Sequence, residues 1–125
     1  MIKAGRARIV AGADVKLEEG PDAVVQGFPR LVIGGKVEHL KPQVAKRTAV
    51  CTDGRQLLVV VTGEAEFNAF ARFLAAPEPA GGAGCKDALN LDGGPSTQVE
   101  ARLPGFTLSE PGQPVPDALA IVPAR

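Results

Sequence analysis

Residues 88–97 read ALNLDGGPST, and they hold the densest set of chemically useful side chains in the chain. In an extended strand, residues two apart share a face. Leu89 and Leu91 are then expected to point into the core, leaving Asn90 and Asp92 side by side on the opposite, exposed face. A carboxylate so placed can act as a general acid or base, stabilise a cationic, sugar-like transition state, or ligate a hard cation. Gly93 and Gly94 carry no side chains, so a ligand can approach their backbone closely. Ser96 and Thr97 add hydroxyl donors. The same residues also fit a plain hairpin turn, for which Asp-Gly is a leading signal. DGGPS is longer and stiffer than a two-residue turn requires, because Pro95 fixes its own φ. Spacing alone favours the turn, with the chemical reading as the alternative.

Arg47 comes immediately before an apolar run. There its planar fork of donors could clamp a phosphate or carboxylate, or simply sit solvated at a strand end. Lys86 and Asp87 read as a surface pair, and His39 as an exposed strand-end residue with no partner in sequence. The run GGAG at 81–84 could form an anion nest, but lacks the Lys and Ser/Thr that follow in a nucleotide loop. Cys51 lies in an apolar stretch and reads as buried. Cys85 follows a glycine-rich loop and reads as exposed, and whether the two form a disulfide is a matter of geometry. With one histidine, two cysteines and no ligand spacing among them, a zinc site built from His and Cys is not supported.

The elements that must hold these residues can be read from pattern. RARIVAG at 6–12 is expected to be a strand, residues 20–26 a short helix, and Arg30 to Ile33 a strand. The glycines at 34 and 35 form a turn, and Lys36 to His39 return beside that strand. Residues 40–46 read as loop. Thr48 to Thr52 and Gln56 to Val61 form a hairpin about DGR. The unalternating LLVVV suggests a strand covered on both faces. Phe67, Phe70, Ala71 and Leu74 follow the spacing of a core-facing helix, with Gly63 as N-cap, Glu64 and Glu66 at its positive end, and Pro77 and Pro79 as stops. KDALNL leads into the quoted stretch as a strand, STQVEARL alternates as a half-exposed one, and PDALAIVPA supplies a last apolar strand. Strands joined partly by hairpins and partly by helices give an α+β fold: one domain over 1–125, a mixed sheet packed against one or two helices.

Composition narrows the partners. Lys plus Arg and Asp plus Glu both number 14, with the basic residues scattered, and aromatic residues are 4%. Neither a phosphate-neutralising patch nor a base-stacking surface is present, which argues against nucleic acid. No apolar run approaches the roughly 18 residues of a membrane-spanning helix, and MIKAGRARIV lacks the apolar region of a signal peptide.

The stretch DALNLDGGPST closely resembles the dALNLDGGgSst signature of the phosphodiester glycosidase family, the group that contains the lysosomal uncovering enzyme. QGFPRLVIGGK and RTAVCTDGRQLLVVVTG are similar to two further family segments in the right order, and PGQPVPDALAIVP to its closing segment. The likeness spans roughly residues 26–123. It implies a hydrolase that cleaves a sugar from a phosphodiester, with a sugar phosphodiester or glycan as partner. By motif position, Asp92 and Asn90 would lie in the cleft and Arg47 would face the phosphate. Gly93, Gly94, Ser96 and Thr97 would line the pocket. The family's GGgS is GGPS here, Cys51 replaces a glycine, and Thr62 replaces an aspartate. The family's upstream N.g.F segment has no counterpart, so the expectation is an N-terminally shortened domain, in which a second copy could complete the sheet between chains. An upstream segment would imply secretion or the cell envelope. Neither the residues nor the resemblance decides whether a cofactor or a metal takes part. A glycan or sugar-phosphate binding module without turnover, and a structural or assembly domain, are the alternatives.

Overall fold

The structure is a computed structural model that describes residues 1–123. Its centre is a five-stranded sheet in the order β4-β3-β7-β5-β6, all neighbours antiparallel. The strands are β3 (Arg30–Ile33), β4 (Lys36–Val37), β5 (Val44–Thr52), β6 (Leu57–Glu66) and β7 (Asp87–Asn90). One helix, α1 (Phe67–Ala75), packs across one face. Two small hairpins flank this layer: β1 (Ile2–Lys3) with β2 (Arg6–Ala7), and β8 (Val99–Leu103) with β9 (Phe106–Glu110). The architecture is α+β, as the mixture of hairpin and helical connections predicts.

The helix is built as its spacing dictates. Phe67, Phe70, Ala71 and Leu74 are buried and meet Leu31, Val32, Ala49, Cys51 and Ala88 from the sheet. Its start differs from expectation. Gly63 and Glu64 remain in β6, and Glu66 is the N-cap, accepting from Asn68 N at 3.0 Å and Ala69 N at 2.8 Å. A carboxylate can satisfy two first-turn N–H groups, whereas glycine has no side-chain acceptor. Those two bonds hold the Glu66 carboxyl below its ordinary pKa.

Several other expectations are corrected. The 6–12 strand shrinks to Arg6–Ala7, because Ala4 and Gly5 turn the chain with positive φ and pair that short piece with Ile2–Lys3. No helix forms over 20–26; a 3-10 turn at Leu17–Glu19 ends at Gly20 in the left-handed region, and Val24 and Val25 belong to no helix or strand. Residues 44–46, read as loop, belong to β5. β6 is an edge strand and its LLVVV is half-exposed rather than covered on both faces. PDALAIVPA forms no strand where it is described, its last residue, 124, lying outside the described residues. The hairpin partner of β8 is instead Phe106–Glu110, a segment without a clear strand signal of its own.

Cys85 is buried, 2% exposed, and forms a disulfide with Cys51. The expected Lys86–Asp87 pair is absent from the ion pairs of the described residues; Asp87 Oδ1 accepts instead from Gly34 N at 3.0 Å. Opposite the helix, the sheet face meets the N-terminal and C-terminal segments around an apolar cavity of about 300 Å³, lined in part by Ile9, Val24, Val50, Leu57, Leu89 and Leu119.

Candidate functional site

The register of β5 and β7 decides how the chemically loaded stretch is presented. Ala49 pairs with Asn90 and Cys51 with Ala88. Directly opposed residues of an antiparallel pair share a face, and Ala49, Cys51 and Ala88 lie in the core under α1. Asn90 is therefore on the helix side of the sheet, at the rim of the core, while Leu89 faces the cavity on the other side. This reverses the expected assignment, in which the leucines pointed to the core and Asn90 to the open face. Asp92 is exposed, as expected, and Leu91 is half-buried.

Pairing continues past the end of β7. Leu91 N donates to Thr48 O at 2.9 Å, so Asp92 falls opposite Arg47 as the register runs on. At the next position a Cβ on Gly93 would lie 2.8 Å from Lys46 O and 3.7 Å from both Arg47 Cα and Thr97 Oγ1. Only a residue without a side chain allows this approach. Gly94 has a different reason to be glycine: its φ is +56°, in the left-handed region. Gly94–Ser96 then forms a 3-10 turn, closed by Ser96 N to Gly93 O at 3.1 Å and Thr97 N to Gly94 O at 3.2 Å. The loop is pinned from outside by the C-terminal segment, where Gln113 N donates to Pro95 O and Gln98 Nε2 to Gln113 O, both at 2.9 Å.

Arg47 lies within β5 rather than before it and is 6% exposed. Its Nη2 donates to Gln43 O at 2.7 Å, and its guanidinium carbon stands 3.9 Å from the centroid of the Phe67 ring. Burial lowers its pKa, and the nearby Glu66 carboxylate opposes that shift. Asp92 forms no ion pair with it among the described residues; Asp92 Oδ1 accepts from Gly93 N at 2.9 Å. Asn90 Nδ2 donates to Phe28 O at 3.0 Å, and Asn90 N to Pro29 O at 3.0 Å. Phe28 and Pro29 are joined by a cis peptide bond. Gly27 completes this contact, since any Cβ there would collide with Asn90 O.

Three buried side-chain polar atoms of the described residues have no hydrogen-bond partner: Arg47 Nε, Asn90 Oδ1 and Thr97 Oγ1. All three belong to residues singled out from sequence, and they come from β5, β7 and the loop that β7 feeds. Buried polar atoms are nearly always paired, and leaving one unpaired costs about 1–3 kcal/mol. The three are a donor, an acceptor and a hydroxyl able to do either, and they lie toward the Arg47 end of the β5–β7 pair. The 300 Å³ cavity lies elsewhere and includes none of Arg47, Asn90, Asp92 or Thr97. No group of three or more His, Cys, Asp or Glu residues stands close enough to hold a metal among the described residues.

Sequence reasoning missed Gln43, which lay in a segment read as loop, and the second role of Phe67, whose spacing signalled only the core. It also missed the contact of residues 27–29 with Asn90, because nothing in a strand pattern shows which segment crosses its end.

No match is found among curated proteins or among solved structures. The family model described as phosphodiester glycosidase matches residues 1–122. The match therefore takes in the N-terminal hairpin, which the motif resemblance left out, together with every strand of the central sheet and the loop bearing Asp92. The chain belongs to the phosphodiester glycosidase family.

Proposed function

We propose that the chain cleaves a sugar from a phosphodiester at the cluster formed by Arg47, Asn90, Asp92 and Thr97. The observation that carries this reading is the set of unpaired buried atoms, Arg47 Nε, Asn90 Oδ1 and Thr97 Oγ1, beside an exposed carboxylate. Their types suit such a substrate. The N–H of Arg47 and the hydroxyl of Thr97 can donate to non-bridging phosphate oxygens. Asn90 Oδ1 can accept from a sugar hydroxyl. The free oxygen of Asp92 can take a proton from the attacking water, or stabilise positive charge at the anomeric carbon. In the hydrolysis, water bonds to that carbon, the carbon–oxygen bond to phosphate breaks with its electron pair, and the products are a free sugar and a phosphomonoester. Gly93 and Gly94 keep the backbone beside Arg47 free of side chains.

The test is hydrolysis of a sugar-1-phosphate diester by the wild type and by Asp92→Asn. The variant is expected to lose activity by about 10²-fold or more while melting as the wild type does, because Asp92 is exposed. Equal turnover in the variant sinks the role given to Asp92. Thr97→Val provides a second arm. Removing an unpaired buried hydroxyl should leave stability unchanged or raise it by about 1 kcal/mol, while substrate binding weakens.

A second reading, a sugar-phosphate binding module without turnover, is favoured by the way Gln43 and Phe67 hold Arg47 away from solvent. Saturable binding that depends on Arg47, with no product released, would select it.

A further inference from the structure

β6 forms one edge of the central sheet, and its free backbone groups can be identified. Thr48 O accepts from Leu91 N and Thr52 O from Lys86 N, both at 2.9 Å, so the even-numbered residues in this part of β5 turn their backbone groups toward β7. Ala49 and Cys51 must then turn theirs toward β6, where the register sets them against Val60 and Leu58. By alternation, Leu57, Val59 and Val61 direct their N–H and C=O groups away from the sheet. No backbone hydrogen bond from outside the β5–β6 ladder reaches these three among the described residues.

Natural edges are normally blunted by charge, proline, a bulge or brevity. The opposite edge, β4, is two residues long and begins with a lysine. β6 has none of these devices between Leu57 and Val61; its register shift lies beyond, across from Lys46 and Arg47. Val59, at the middle of the run, is 37% exposed.

We infer that a second copy of this chain pairs antiparallel along β6, on a two-fold axis through Val59. That axis sets Val59 against Val59 of the partner subunit and Leu57 against Val61 of the partner subunit. Each opposed pair then consists of outward-directed residues, which exchange both of their N–H···O=C bonds. A one-residue shift would oppose outward to inward residues and forfeit those bonds. Charge selects the direction. Arg55 precedes the apolar run, and Glu64 and Glu66 follow it. Antiparallel pairing brings the basic end of one strand over the acidic end of the other, whereas parallel pairing would superpose like charges. The register is self-complementary, so the occupant is this chain itself. Two five-stranded sheets become one continuous sheet, with both helices on the same face.

Sedimentation equilibrium of the full chain tests this. The wild type is expected at twice 12.9 kDa at about 0.1 mM. Val59→Pro removes an outward N–H and leaves the β5–β6 ladder its donors, so it should raise the dimer dissociation constant at least about tenfold with the fold intact. Val59→Lys, which changes no backbone group, should do the same by charge repulsion and decides the matter if the proline variant fails to fold. A wild type that remains at 12.9 kDa at that concentration overturns the inference. So does a dimer unaffected by Val59→Lys.

Discussion

Arg47 stands over the ring of Phe67, with 3.9 Å from guanidinium carbon to ring centroid, and this contact ties the candidate site to the first residue of the only α-helix of the described residues. Phe67 begins α1 and is 8% exposed, so one ring serves both the core and the orientation of the arginine. The contact should be measurable as a coupling of about 0.5–2 kcal/mol in a double-mutant cycle of Arg47→Met and Phe67→Leu, read by urea denaturation. Additive single effects would show that the ring only fills space. Arg47→Met should also weaken sugar-phosphate binding more than Phe67→Leu does, because only Arg47 carries the donor.

The two glycines after Asp92 should respond differently to the same substitution. Gly94→Ala meets open space but keeps a φ of +56°, so it should cost about 1–2 kcal/mol. Gly93→Ala drives a methyl toward Lys46 O, which is backbone and cannot rotate away. It should cost more than Gly94→Ala and displace the loop from Arg47, lowering ligand affinity in proportion. Calorimetric melting of the two variants, paired with a binding titration, checks the order.

The Cys51–Cys85 disulfide links β5 to the residue two positions before β7, the two strands that carry Arg47 and Asn90. With the cysteines 34 positions apart in sequence, closing that loop restricts the unfolded chain and stabilises the fold by about 4 kcal/mol in the chain-entropy treatment. Cys51→Ala together with Cys85→Ala should lower stability by an amount of that order. Both sulfurs are buried, so a mild reductant should act on the native protein far more slowly than on the urea-unfolded chain, as followed by thiol labelling.

Acid should loosen the start of α1. The Glu66 carboxyl has a folded pKa below its ordinary value of 4.5 because Asn68 N and Ala69 N donate to it. A depressed carboxyl pKa means that its stabilisation is fully present above 4.5 and is lost as pH falls through the lower, folded value. Glu66→Gln should flatten that part of the acid limb of melting temperature against pH, and an unchanged limb would assign acid sensitivity elsewhere.

Local rules in the sequence carried a good part of this fold. The stripe Phe67, Phe70, Ala71, Leu74 forced a helix with one buried face, and the glycine turns between short β-branched runs fixed the hairpins β3–β4 and β5–β6. The residues of ALNLDGGPST were recognisable as a set because their types are unusual together. What they face was decided only in three dimensions. Alternation states that Asn90 and Leu89 lie on opposite faces, but not which face the helix covers; the pairing of Ala49 with Asn90 made that choice and placed the amide against the core rim. Likewise no local signal distinguishes a solvated arginine from one stacked on Phe67, or an exposed Cys85 from one bonded to Cys51. Those outcomes depend on contacts between segments far apart in the chain, whose energies reside in neither segment alone.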